Sequence, residues 1–242
     1  MASRTRGKDS TERRHGTGKR QPTVWVFTEG SLTEPQYIDI VKGRRDPSIR
    51  LSVRIGNDER THSGTKGPRN PTYSRKPLDL FDQAVAKLRE EERRAKREKW
   101  PAPPKGTRWT TVWCLFDRDD HEGIDTIHDE ADAIDGLEIA YSHPCFELWR
   151  LLHCQDYTST FGRVCGEATK KLPFVTPRMS KEQAKIVLPS QILKTDVDGF
   201  KEAKARAERM NDRHQVNVPK SRRDPYTDVW RFVEQGLRVT DY

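Results

Sequence analysis

In TVWCLFDRDDH, residues 111–121, six residues suited to a sheet interior run straight into Asp117, Asp119, Asp120 and His121. A further acid, Glu29, ends another apolar run, TVWVFTEG at 23–30. Crowded carboxylates repel one another and stay ionised only when a cation neutralises them. Oxygen ligands suit Mg²⁺ or Mn²⁺, and Mg²⁺ keeps coordination positions open for water and phosphate oxygens. That chemistry is metal-assisted attack on a phosphate ester. Asp-x-Asp is nevertheless a weak signal. Acids at strand ends also serve as turn residues, and Asp119 or Asp120 can cap a helix that begins near Gly123.

Glu29, Asp117 and Asp119 converge only if the strands they close are neighbours. The chain predicts an α/β fold with a central, mostly parallel sheet flanked by helices and a C-terminal helical extension. Strands are expected over 23–30, 49–56, 110–116 and 137–142, since contiguous apolar runs indicate strands covered on both faces. A helix over 31–43 has two possible capping boxes, Ser31 with Glu34 or Thr33 with Gln36, and an apolar face of Tyr37, Ile38, Ile40 and Val41. Gly30 suits a sharp turn between strand and helix. Leu78, Phe81, Val85 and Leu88 keep helical spacing over 77–99. CFELWRLLH reads as a short amphipathic helix, and KEQAKIVL and DGFKEAKARAERMNDRH as helices further on. DPYTDVWRFVEQGL reads as another, with Asp224 as N-cap and Pro225 at its first position. In such sheets ligands collect at the carboxyl ends of the strands.

The chain divides into a tail at 1–22, an α/β core at 23–160 containing a mobile polar loop at 57–76, and a helical part at 161–242 packed on the core. Hydrophobic residues are 33 % and charged residues 34 %, so the core is modest for 242 residues. Of the net charge of +8, the tail holds +5, with seven Lys/Arg and two Asp/Glu. It has too few apolar residues to fold alone and reads either as a phosphate-holding arm or as a solubilising terminus. No run is long enough for a membrane span and no signal peptide is recognisable, so a cytoplasmic protein is expected. Cys114, Cys145, Cys154 and Cys165 form no Cys-x-x-Cys pair and are expected to be reduced thiols. Zinc on His143, Cys145, His153 and Cys154 is disfavoured by their spacing, and core packing of Cys145 and Cys154 is expected instead.

VFTEGSLTEPQYI, VWCLFDRDDH and SHPCFELWRLLH occur in this order, and the closing segment DPYTDVWRFVEQGL places a Pro-x-Thr before the last helix. Together they resemble the RloB family, across roughly residues 20–237 apart from the loop at 57–76. The resemblance implies a Toprim-type catalytic domain like those of OLD-family nucleases. Its divalent metal site, for Mg²⁺ or Mn²⁺, maps onto Glu29, Asp117 and Asp119. It implies phosphodiester hydrolysis in DNA or RNA, in bacterial anti-phage defence or abortive infection. The partner would be an AAA/ABC-type ATPase encoded nearby, since the chain has no Walker A motif of its own. A homo-oligomer is open, and no membrane is involved. The family commonly reads Glu-Gly-Glu where this chain has Glu29-Gly30-Ser31, which leaves a second metal in doubt; Glu34 is the substitute available.

Glu147 lies among apolar residues and reads as a further metal ligand or as a carboxylate satisfied locally. The resembling block is built around it. His121 can orient water, contact phosphate or act as acid or base; equally, it is a neighbour satisfied by the carboxylates. Lys194 matches a position where relatives often carry Lys, suited to stabilising developing phosphate charge; a solvated lysine is the bland reading. Arg60, Lys66 and Arg69, with His62 and Tyr73, can clamp nucleic acid or merely line a flexible loop. Two competing functions stay open. One is a haloacid-dehalogenase-like phosphatase, with Asp117 as nucleophile and Asp119 as general acid. The other is a non-catalytic module that binds nucleic acid or senses phage.

Overall fold

The computed structural model describes residues 20–57, 74–193 and 199–242. Lys194, Arg60, Lys66 and Arg69, like His62, Tyr73 and residues 1–19 of the expected tail, lie outside these. A five-stranded sheet runs through the molecule in the order β2-β1-β3-β4-β5. β1 (Thr23–Thr28), β2 (Ser52–Ile55), β3 (Thr110–Asp117) and β4 (Leu137–His143) are parallel, and the two-residue β5 (Tyr226–Thr227) is antiparallel to β4. The fold is thus α/β, mostly parallel, flanked by helices and extended by C-terminal helices. The described residues contain no helix long and apolar enough to cross a membrane.

Successive residues of β3 face opposite layers, as a strand requires. Trp113 and Leu115 join an apolar cluster with Val26, Tyr37, Trp149, Phe200 and Phe232. Val112, Cys114 and Phe116 join a second with Leu80, Phe81, Leu88 and Ile127. The first layer is supplied by α1 (Thr33–Lys42), α4 (Glu147–Leu152) and α8 (Gly199–Asn211); the second by α2 (Pro77–Arg97) and α3 (Ile124–Asp132). The short helices α5 (Cys165–Lys171), α6 (Lys181–Lys185) and α7 (Pro189–Ile192) follow, α6 lying within the expected KEQAKIVL helix.

Several expectations change, each for a local reason. The buried stripe of α2 is Leu80, Phe81, Ala84 and Leu88; Leu78 is exposed. Leu78 lies two residues, about 200°, from Leu80 and so on the opposite face. α4 is buried on every side, including Arg150 and Glu147, rather than amphipathic. Neither capping box forms at α1. Thr33 Oγ1 donates to the Lys185 carbonyl at 3.0 Å, and Gln36 Oε1 accepts from Val187 N at 2.9 Å, so both residues dock the C-terminal end of α6 and the segment just after it instead. The box forms at α6, between Ser180 and Gln183.

DPYTDVWRFVEQGL is not one helix. Its first residues extend to pair with β4, then a turn α9 (Val229–Arg231) leads into a π-helical segment, Phe232–Leu237. Asp224 therefore caps no helix; its carboxylate accepts from Thr160 Oγ1, Phe161 N and Arg163 N. The cysteines are not all reduced. Packing of α5 on α4 brings Cys145 and Cys165 to a Cα separation of 5.5 Å, and they form a disulfide. Cys145 is buried as expected, whereas Cys154 is only half-buried.

Candidate metal centre

β1 and β3 pair in parallel register, with Phe27 opposite Cys114 and Thr28 opposite Leu115. Glu29 N continues the ladder by donating to the Leu115 carbonyl at 2.9 Å. Glu29 thereby arrives beside the end of β3, where Asp117 N donates to its Oε2 at 2.9 Å. Its other oxygen, Oε1, lies 2.9 Å from His121 Nε2. One ligand atom each from Glu29, Asp119 and His121 lie within 4.8 Å of one another.

Asp119 and His121 are held from the outside. Asp119 sits at φ 29°, a left-handed conformation that Asp tolerates better than most residues. Asp119 N donates to the Pro144 carbonyl at 3.4 Å. The Arg118 guanidinium donates to the carbonyls of Asp119 and His121, and through Nε to that of Ser221 at 3.1 Å. Nothing in the sequence singled out Arg118, whose role as a clamp depends on contacts with carbonyls as far away as Ser221. The end of β1 is gripped as well. Asn57 pairs with both backbone groups of Thr28, and Arg75 donates to the carbonyls of Thr28, Gly30 and Asn57.

Electrostatically linked to this group are Asp117, Glu34 and Glu147, of which Glu34 and Glu147 are buried. Every one of these acids is raised above its ordinary pKa. Burial lifts Asp117 well above the carboxylate range, and the charges of Glu34, Glu29 and Glu147 add to it. Burial, reinforced by Glu147, pushes Glu34 up to about 7. Burial raises Glu147 against the opposing charge of Arg150, and raises Asp119 against that of His121. Burial also raises Glu29, against the hydrogen bonds from Asp117 N and His121. Lys185 pulls Asp119 and Glu147 the other way, a cation that sequence reading did not single out.

The sequence-predicted residues therefore separate. Glu29 and Asp119 meet, together with His121. Asp117, Glu34 and Glu147 are linked electrostatically to that group and to one another. Asp120 is exposed and acts only as a neighbouring charge on Asp119. The helix after the loop is entered through Gly123 with no side-chain cap, so neither Asp119 nor Asp120 is spent as an N-cap. Glu147 Oε2 also lies 3.5 Å from Cys165 Sγ, but that sulfur is in the disulfide and offers no thiolate. A cleft of about 170 Å³ opens beside His121, lined by Arg118, Glu122, Gly123, Asp125 and Ser221.

Gly30 has a use other than a left-handed turn. Glu34 folds back so that its Oε1 accepts from Gly30 N at 2.9 Å, and a Cβ on residue 30 would collide with that carboxylate. Glu34 is buried and cannot swing aside. Gly30→Ala is expected to cost ~1–3 kcal/mol of stability, measured by urea unfolding.

The raised acids set a pH dependence. Between the ordinary 4.5 and about 7, folded Glu34 holds a proton that the unfolded chain has released. Its contribution is complete below about 4.5 and is lost as pH rises through about 7. In EDTA the midpoint of thermal unfolding should therefore fall across this window, and Glu34→Gln should flatten the fall. A midpoint that climbs from pH 5 to 7.5 in both proteins would contradict this assignment.

Fold and site define an α/β protein whose adjacent central strands bring acids to one carboxyl edge of a mostly parallel sheet. Residues 24–235 match the family described as RloB-like protein, and the chain belongs to that family. No curated protein and no solved structure matches it.

Proposed function

We propose that this chain is the Toprim-type nuclease subunit of a bacterial anti-phage system, hydrolysing phosphodiester bonds of DNA or RNA with Mg²⁺ or Mn²⁺ and an ATPase partner. The observation that carries the reading is the meeting of Glu29, at the end of β1, with Asp119 and His121, after β3. Membership of the RloB-like family supports it. The donor set fits a divalent cation, because it joins two carboxylates and an imidazole and is linked to three further acids whose proton affinities are raised, chiefly by burial and then by crowding. Glu29 and Asp119 would hold the ion, with Asp117 electrostatically linked to them. When bound, such an ion polarises a phosphate and lowers the pKa of a coordinated water.

The chain's own groups do the rest. Asp117 N fixes Glu29 Oε2, so that carboxylate is oriented before any ligand arrives. Arg118 holds the 119–121 loop through its carbonyls. Lys185 brings positive charge to an edge that would otherwise repel a phosphate backbone.

The test uses the purified full chain with Mg²⁺ or Mn²⁺ and mixed DNA and RNA, with and without the neighbouring ATPase. Cleavage is expected only with metal and should stop on EDTA addition. Either metal should raise the thermal unfolding midpoint, and Asp119→Asn should erase that rise. Nucleic-acid binding of equal strength with and without metal, and no cleavage under any condition, would instead establish a sensing module.

A further inference from the structure

We propose that His121 is itself a ligand of the ion, which then sits on one imidazole nitrogen and the carboxylates of Glu29 and Asp119, and that the site prefers Mn²⁺ or a similar first-row cation to Mg²⁺. This rests on the metal reading of the same site and changes its ligand set. The set read from the chain was oxygen alone, from Glu29, Asp117 and Asp119 with Glu147 as a further ligand.

The distances carry the assignment. Adjacent ligands about 2.1 Å from an octahedral ion stand roughly 3.0 Å apart, and opposite ones roughly 4.2 Å. His121 Nε2 and Glu29 Oε1 stand 2.9 Å apart, the spacing of neighbours on one ion as well as of a hydrogen bond. With the Asp119 oxygen, all three atoms fall within 4.8 Å of one another. Asp117 is absent from this group although it is next but one to Asp119, because it closes β3 while the chain turns after it.

The supports of the three groups are those of a built site. Glu29 uses Oε2 to accept from Asp117 N, which leaves Oε1 turned toward His121. A hydrogen bond to the non-ligating oxygen is the usual outer support of a metal carboxylate. Asp119 and His121 are set two residues apart in a loop whose carbonyls are both tied to Arg118. His121 is only partly exposed, so its ring is held in place by the surrounding chain rather than free in solvent. Magnesium favours an all-oxygen shell and dehydrates reluctantly, whereas an imidazole in the shell suits later first-row ions.

The deciding measurement is three-pulse electron spin-echo spectroscopy on the full-length chain carrying stoichiometric Mn²⁺. Nitrogen modulation from a directly bound imidazole is expected, and His121→Gln should abolish it. That substitution should weaken Mn²⁺ binding by roughly tenfold or more, while Mg²⁺ binding by calorimetry changes much less. Among the described residues His121 is the histidine of this cluster, so absence of nitrogen modulation in the wild-type spectrum overturns the assignment even if the variant folds poorly. Mn²⁺ bound in a Glu29-dependent manner without nitrogen modulation would overturn the ligand assignment and leave the carboxylate site standing. Failure of Mn²⁺ to bind would remove both. Nitrogen modulation in a protein that cuts no nucleic acid would sink the nuclease reading alone.

Discussion

Glu29→Gln and Asp119→Asn, made singly, should each lower metal-dependent cleavage by on the order of 10²–10³-fold or more, with the fold intact. Each substitution keeps the shape of the side chain and removes the negative charge. Glu29 is the more sensitive position, because one oxygen accepts from Asp117 N and the other faces His121. A neutral amide there must turn either its NH₂ toward Asp117 N or its oxygen away from the ion. Asp119 is partly exposed and set at φ 29°, so its replacement by Asn, which also tolerates that conformation, leaves the backbone undisturbed. Loss of activity with an unchanged unfolding midpoint in EDTA is the expected pattern. Full cleavage by either purified variant would remove this edge of the sheet as the catalytic centre.

Arg150→Ala should produce the largest loss of stability, ~3–5 kcal/mol. Arg150 is fully buried on α4. Its guanidinium donates to the carbonyls of Ala184 and Ile186 at 2.8 and 2.9 Å and to Gln191 Oε1 at 3.0 Å. It also lies over the Phe174 ring, 5.1 Å from its centroid. One side chain thus ties α6 and α7 to the core while opposing the buried charge of Glu147. Removing it orphans several buried acceptors and leaves Glu147 uncompensated. Arg150→Lys should recover only part of the loss, since an ammonium cannot reproduce the planar fork. Adding Glu147→Gln to Arg150→Ala should return some stability, and a double-mutant cycle in urea measures the coupling. A loss below about 1 kcal/mol would contradict this role.

Much of this was written in the chain itself. Runs such as TVWVFT and TTVWCLF identify parallel strands because a strand covered on both faces has no polar side to show. Glu29, Asp117 and Asp119 were legible as a constellation, since acids that end apolar strands fall at the carboxyl edge of such a sheet. Phe200, Ala203, Ala207 and Met210 mark the buried stripe of α8 by helical spacing alone. Local periodicity and strand ends are short-range properties, and neighbouring residues carry them.

Which groups meet across long separations was decided by tertiary packing. Glu29 and His121 are 92 residues apart, and only the pairing of β1 with β3 puts an imidazole 2.9 Å from that carboxylate. Asp117 fell out of the cluster because the backbone turns after it, which a two-residue spacing does not reveal. Thr33 and Gln36 look like cap residues, yet they bind the end of α6 and the segment just after it, about 150 residues away in the chain. The Cys145–Cys165 bond likewise follows from α5 lying on α4. In each case the competing partners have similar local energies, and burial against a distant element decides between them.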